Sequence, residues 1–130
     1  MKPSPELQTL KAEFFRALAH PVRIRLLEVL VSQGETSVQD LQRTLGIDQP
    51  IVSQQLARLR GSGIVVARKQ GQVARYAVAD PMIADLLQVA KQILNRHLVG
   101  VQSLLRELKD DRSAGAPARR RSPVRREGAA

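Results

Sequence analysis

Residues 36–76 read TSVQDLQRTLGIDQPIVSQQLARLRGSGIVVARKQGQVARY, and their pattern decides the fold. Thr36 or Ser37 can cap a short helix, with Gln39 or Asp40 as the capping-box partner. Val38, Leu41 and Leu45 give that helix one apolar face, and Gly46 supplies the turn that ends it. Asp48 is placed to cap the next helix, whose first turn tolerates Pro50. Val52, Leu56 and Leu59 then face inward at spacings of four and three, leaving Gln49, Pro50, Ser53, Gln54 and Ala57 on the outward face. Gly61-Ser62-Gly63 terminates this second helix. Ile64–Arg68 and Val73–Val78 alternate and are β-branched, and Lys69-Gln70-Gly71-Gln72 separates them, a hairpin signal with glycine at the tip. Helix, turn, helix and basic ribbon in this order make a winged helix-turn-helix, mainly α with a small β-hairpin (α+β). In that layout the second helix enters a DNA major groove and the ribbon touches the flanking backbone.

The flanks extend the pattern on both sides. Pro5–Ala19 carries Leu7, Leu10, Phe14 and Leu18 at helical spacing, which predicts an amphipathic helix. His20-Pro21 breaks it, with His20 in a capping position and Pro21 suited to the first turn of the next helix. Val22–Val31 is so dense in Ile24, Leu26, Leu27, Val29 and Leu30 that it predicts a helix buried on most sides, ended by Ser32-Gln33-Gly34. After a cap at Asp80 comes a long helix. Its apolar stripe runs Ile83, Leu87, Ala90, Leu94, His97, Val101, Leu104 and Leu108, steps of four and three that match a heptad. A helix of about seven turns is too long to bury such a stripe on so small a domain. A second copy of the chain is the expected cover, through Leu7, Leu10, Phe14, Ile83, Leu87, Leu94, His97, Val101 and Leu104.

Composition narrows the function. The 130 residues suit one domain, and 43% hydrophobic residues are enough to build its core. The net charge of +9 points to an anionic partner, nucleic acid first. Much of that charge is terminal: Arg112, Arg119, Arg120, Arg121, Arg125 and Arg126 against Glu127 give residues 112–130 a charge of +5 and leave +4 for residues 1–111. With no cysteine, disulfides, thiolate metal sites and thiol switches are excluded. No apolar run approaches the roughly 20 residues that span a bilayer, and MKPSPELQ lacks a signal peptide's apolar core, so the expected location is the cytoplasm, on nucleoid DNA. Phe14, Phe15 and Tyr76 are too few aromatics for a single-strand binder that stacks bases.

FFRALAHPVRIRLLEVL and VSQQLARLRGSGIVVARKQGQVARYAV resemble the second-helix signature and the recognition helix with wing of the ArsR/SmtB transcriptional repressors. The resemblance covers residues 7–108 in order. It implies a sequence-specific DNA-binding regulator, a homodimeric repressor on a palindromic operator, with DNA contacts at Gln49, Pro50, Ser53 and Gln54, flanked by Gln55 and Arg58. Side-chain chemistry agrees: Gln amides can pair bidentately with adenine, Ser can bond a base or a phosphate, and Pro50 offers apolar contact. Arg68, Lys69, Gln72 and Arg75 on the wing suit phosphate or minor-groove contact, which fixes register more than sequence. No nucleophile–base pair or Gly-rich phosphate loop accompanies these residues, so no enzymatic activity is expected.

The chain departs from the family's metal-sensing members. Where they carry Cys-x-Cys on the third helix it has Ser37 and Gln39, poor ligands for the ions concerned. On the last helix, His97 is followed three residues later by Gly100 rather than an acid, and Asp85 does not restore the spacing. No metal or cofactor is therefore expected. His97 reads first as an interface histidine, or else as one of a pH-responsive pair across the dimer. The expected organisation is a DNA-binding and dimerisation domain over residues 1–111 and a disordered Arg-rich tail over 112–130. The tail either solubilises the protein or adds nonspecific DNA affinity. Three alternatives stand beside the repressor: an architectural, nonspecific DNA binder, a metal-responsive repressor with a non-cysteine site, and a protein-interaction module on the same fold.

Overall fold

The computed structural model describes residues 5–114. The element order is α1 (Pro5–Leu18), α2 (Pro21–Gln33), β1 (Thr36–Ser37), α3 (Val38–Leu45), α4 (Gln49–Gly61), β2 (Val65–Gln70), β3 (Val73–Val78) and α5 (Met82–Ala114). The chain divides into two compact units between Leu87 and Gln88.

In the first unit the helices start and stop where the backbone chemistry requires. His20 is extended (φ −158°, ψ 131°), and its Nδ1 accepts the Val22 N–H at 3.1 Å, the capping role its position before Pro21 implied. Gly34 takes φ 79° to close α2, donating its N–H to the Leu30 carbonyl at 2.9 Å. Ser37 caps α3 by accepting the Asp40 N–H at 3.1 Å. The reciprocal half of the expected capping box is absent, because the Asp40 carboxylate instead takes Arg43 at 2.7 Å.

Leu26, Leu27 and Leu30 of α2, Leu41 of α3, and Val52, Leu56 and Leu59 of α4 are all within 1% of full burial. Ala17, Leu18, Ile64, Val65 and Ile83 complete this core. Each buried leucine or valine contributes about 1.5–3 kcal/mol relative to leaving it exposed, so α4 is anchored by three such side chains on one face. Its opposite face stays outside.

Further details differ from the sequence expectation. Asp48 occupies the N-cap position of α4 but its carboxylate makes no capping bond. Pro50 has no N–H to offer at the second helical position, and the Ile51 N–H is already taken by the Asp48 carbonyl at 3.1 Å. The sheet has three strands rather than two, in the order β1-β3-β2 and antiparallel throughout. Thr36 and Ser37, read only as caps, also pair with Tyr76 and Arg75. Finally, β2 spans Val65–Gln70 rather than Ile64–Arg68, because the hairpin loop has two residues instead of four. Gln70 pairs with Val73, and Gly71 (φ 63°) stands at the first central position, as a type II′ turn requires.

The Met82 N–H donates to the Asp80 carboxylate at 2.8 Å, so Asp80 caps α5 as expected. The helix continues through Ala114, three residues past the expected domain end at 111. The rest of the Arg-rich tail, residues 115–130, lies outside the described residues. Taken by itself, the described part of the second unit is helix from Gln88 to Ala114, with Leu94, Leu98, Val101, Leu104, Leu105 and Leu108 exposed on the single chain. No helix among the described residues is long and apolar enough to cross a membrane.

Candidate nucleic-acid interface

Gly46 makes the turn between α3 and α4 with φ 66°, its N–H bonded to the Gln42 carbonyl at 2.8 Å. This left-handed residue closes α3 and lets the chain turn into α4 within a few residues. With Val52, Leu56 and Leu59 buried, helical geometry puts Gln49, Pro50, Ser53, Gln54 and Ala57 outside, and all five are exposed. The side chains of Gln49, Ser53 and Gln54 form no hydrogen bond among the described residues, so their donors and acceptors remain available. Arg58 is also exposed, and its Nη1 donates to Ser62 Oγ at 2.8 Å.

Gln55 behaves differently. It is half-buried, and its Oε1 accepts from Arg23 Nη1 at 2.7 Å. Arg23 also donates through Nε to the Ala17 carbonyl at 2.6 Å and through Nη2 to the Arg16 carbonyl at 3.4 Å. Burial, and secondly the neighbouring charge of Arg58, lowers the Arg23 pKa from its ordinary value. The amide expected to flank the DNA contacts thus faces α2, where it helps hold α4 in place.

The wing divides its four polar residues into two pairs. Lys69 and Gln72 are exposed at the hairpin end, with no polar partner among the described residues. Arg68 and Arg75 stand opposite each other on β2 and β3, and both meet Glu35, which immediately precedes β1. Arg68 grips its carboxylate in bidentate fashion, Nε to Oε2 at 2.9 Å and Nη2 to Oε1 at 2.6 Å, and Arg75 Nε lies 3.8 Å from Oε1. The Arg68 hydrogen bond above all holds the Glu35 carboxyl below its ordinary pKa; it outweighs the opposing effect of burial, and the charges of Arg68 and Arg75 add to it. The same hydrogen bond and charge raise Arg68.

Sequence reasoning missed Glu35 and Arg23. An acid beside a two-residue strand becomes a partner for Arg68 only once β1 is known to pair with β3. Arg23 left a clearer trace, as a guanidinium inside the most apolar helix, which needs acceptors close by. No group of three or more His, Asp or Glu side chains among the described residues is placed to hold a metal ion.

Residues 20–66, from the cap of α2 to the start of the wing, match the model of bacterial regulatory proteins of the arsR family. The HTH-type transcriptional regulator Rv0081 of Mycobacterium tuberculosis is 43% identical over 111 residues, covering 85% of this chain and 97% of the relative. The chain belongs to the arsR family. It is a DNA-binding transcriptional regulator with a winged helix-turn-helix fold. The crystal structure of Rv0081 superposes with a TM-score of 0.67 at 47% identity, over 75% of this chain and 96% of that one. A homodimeric winged helix-turn-helix DNA-binding domain from Mycobacterium bovis, a possible ArsR-family regulator, gives a TM-score of 0.66 at 28% identity, over 74% and 91% of the two chains. The repressor BigR of Xylella fastidiosa gives 0.62 at 38% identity, over 68% and 89%. The family is one of transcriptional regulators, and it gives the outward face of α4 its context.

Proposed function

We propose that this family member is a homodimeric repressor that reads a palindromic operator through α4. The observation that carries the reading is the outward face of that helix. Gln49, Pro50, Ser53 and Gln54 are exposed together, their polar groups uncommitted, on a helix held by three fully buried side chains. Rigid presentation of amides suits bidentate recognition of adenine, and Arg58, Lys69 and Gln72 suit the flanking phosphates.

A second copy of the chain covers the apolar residues of α5 and of α1. Leu94, Val101 and Leu104 on α5 are more than a third exposed, as are Leu7 and Leu10 on α1, and each apolar face costs free energy in water until another surface buries it. His97 shares the exposed stripe on α5. Phe14, Ile83 and Leu87, the other expected interface residues, are already buried in part or fully within the single chain. The homodimeric M. bovis relative and the repressor from X. fastidiosa support the same reading. A two-fold dimer presents two reading helices, so its half-sites lie about one helical turn apart, roughly 34–36 Å. Repression follows from occlusion of a promoter. An effector releases DNA only in so far as it binds the free and DNA-bound dimers with different affinity.

Selection of genomic fragments by the purified protein tests this reading. Enrichment of an inverted repeat with half-sites one turn apart supports it. Retention of fragments without sequence preference, lost steeply with salt, supports the architectural alternative instead.

A further inference from the structure

We propose that Glu35 is an internal phosphate mimic that withholds the wing arginines from DNA and thereby limits nonspecific affinity. The inference rests on the DNA-binding reading above and adds a residue that sets the balance between backbone affinity and base reading.

The geometry is that of a guanidinium on a phosphate. Arg68 presents Nε and Nη2 as a fork to the two Glu35 oxygens, and Arg75 approaches Oε1 from the neighbouring strand. A carboxylate and a phosphodiester compete for this fork with the same planar, two-oxygen chemistry. The competitor is also built in. Glu35 directly precedes β1, whose pairing of Thr36 with Tyr76 and Ser37 with Arg75 fixes the backbone beside both arginines. Glu35 is therefore delivered by strand register, and it reaches Arg68 before any DNA does.

Counterion release counts arginines that neutralise phosphates, and it scales with their number. An Arg68 held by Glu35 adds little to that count, leaving Lys69 on the wing and Arg58 and Arg60 on α4 as exposed cations that no acid neutralises among the described residues. Backbone affinity is then modest, and discrimination falls to Gln49, Ser53 and Gln54. Both partners of the pair are partly solvent-accessible, so phosphate can displace the carboxylate, but only against an existing bidentate bond.

The test compares full-length wild type, E35Q, R68Q and the double variant on a mixed-sequence duplex. Fluorescence anisotropy across a KCl series gives the slope of log K against log salt. E35Q is expected to bind more tightly at low salt, with a slope steeper by about 1 to 2, one unit for each arginine released. R68Q alone is expected to change the wild-type slope by less than about 0.5, whereas in the E35Q background it removes about 1. Loss of a full unit by R68Q with Glu35 in place overturns the proposal, since Arg68 would then already reach phosphate. That arm needs no Glu35 variant and stands even if E35Q folds poorly. An unchanged slope in a folded E35Q also overturns it. If wild type binds no duplex at all, the DNA-binding reading fails first and takes this proposal with it.

Discussion

Arg23 on α2 donates to the Gln55 amide oxygen on α4 at 2.7 Å while its Nε bonds the Ala17 carbonyl in the last turn of α1 at 2.6 Å. One guanidinium therefore ties three helices together, and it does so where α1 leaves carbonyls without helical partners. Arg23→Leu removes every one of these donors at once. The expected cost is about 2–3 kcal/mol, the scale of hydrogen bonds to a charged group, and Gln55→Ala costs about 1 kcal/mol. Urea unfolding at fixed protein concentration measures both, and equal, negligible effects would contradict the coupling.

Glu35 gives the wing an acid-sensitive anchor. Its folded pKa lies below the unfolded value, so its contribution to stability is fully present above the unfolded carboxyl range near about 4.3. That contribution is lost as the pH falls through the depressed folded value. The melting temperatures of wild type and E35Q should thus differ by a constant amount near neutrality and converge in acid. A gap that widens on acidification reverses the expected sign.

Gly46 tests the turn itself. A methyl group there meets nothing within 4 Å, yet φ is +66°, a region where any side chain is strained. Gly46→Ala is expected to destabilise by about 1–2 kcal/mol through backbone strain alone, and Gly46→Asn by less. Chemical denaturation of the three proteins gives the order.

Leu94 and Leu104 are 57% and 54% exposed on the single chain, so replacing them with aspartate removes little from its own core. The double variant should fold, with a helical circular dichroism spectrum, but sediment as a monomer where wild type sediments as a dimer. It should also lose cooperative operator binding. An unaltered dimer would move the interface elsewhere.

Much of this was legible in the residues. The five helices and the hairpin follow from apolar spacing, and Val52, Leu56 and Leu59 on the buried face leave Gln49, Ser53 and Gln54 outside by helical geometry alone. Local chemistry also showed the His20 and Asp80 caps. What could not be read was long-range pairing. Thr36-Ser37 is too short for a strand signal, and only its partnership with β3 brings Glu35 to Arg68 and Arg75. Gln55 looked equivalent to Gln54 because the two are adjacent. A step of one residue along α4 turns Gln55 toward α2, where Arg23 claims it.

In the proposed dimer the exposed face of α4 reads base sequence. The most direct test is the affinity ratio between the selected operator and a mixed-sequence duplex, measured for wild type and for the Gln49→Ala, Gln54→Ala double variant. Each bidentate contact discriminates by about 1–3 kcal/mol, so the variant should lose at least about tenfold in that ratio. Its nonspecific affinity and melting temperature should stay as they were, since both side chains are exposed and uncommitted. An operator preference that survives the double substitution would contradict the account.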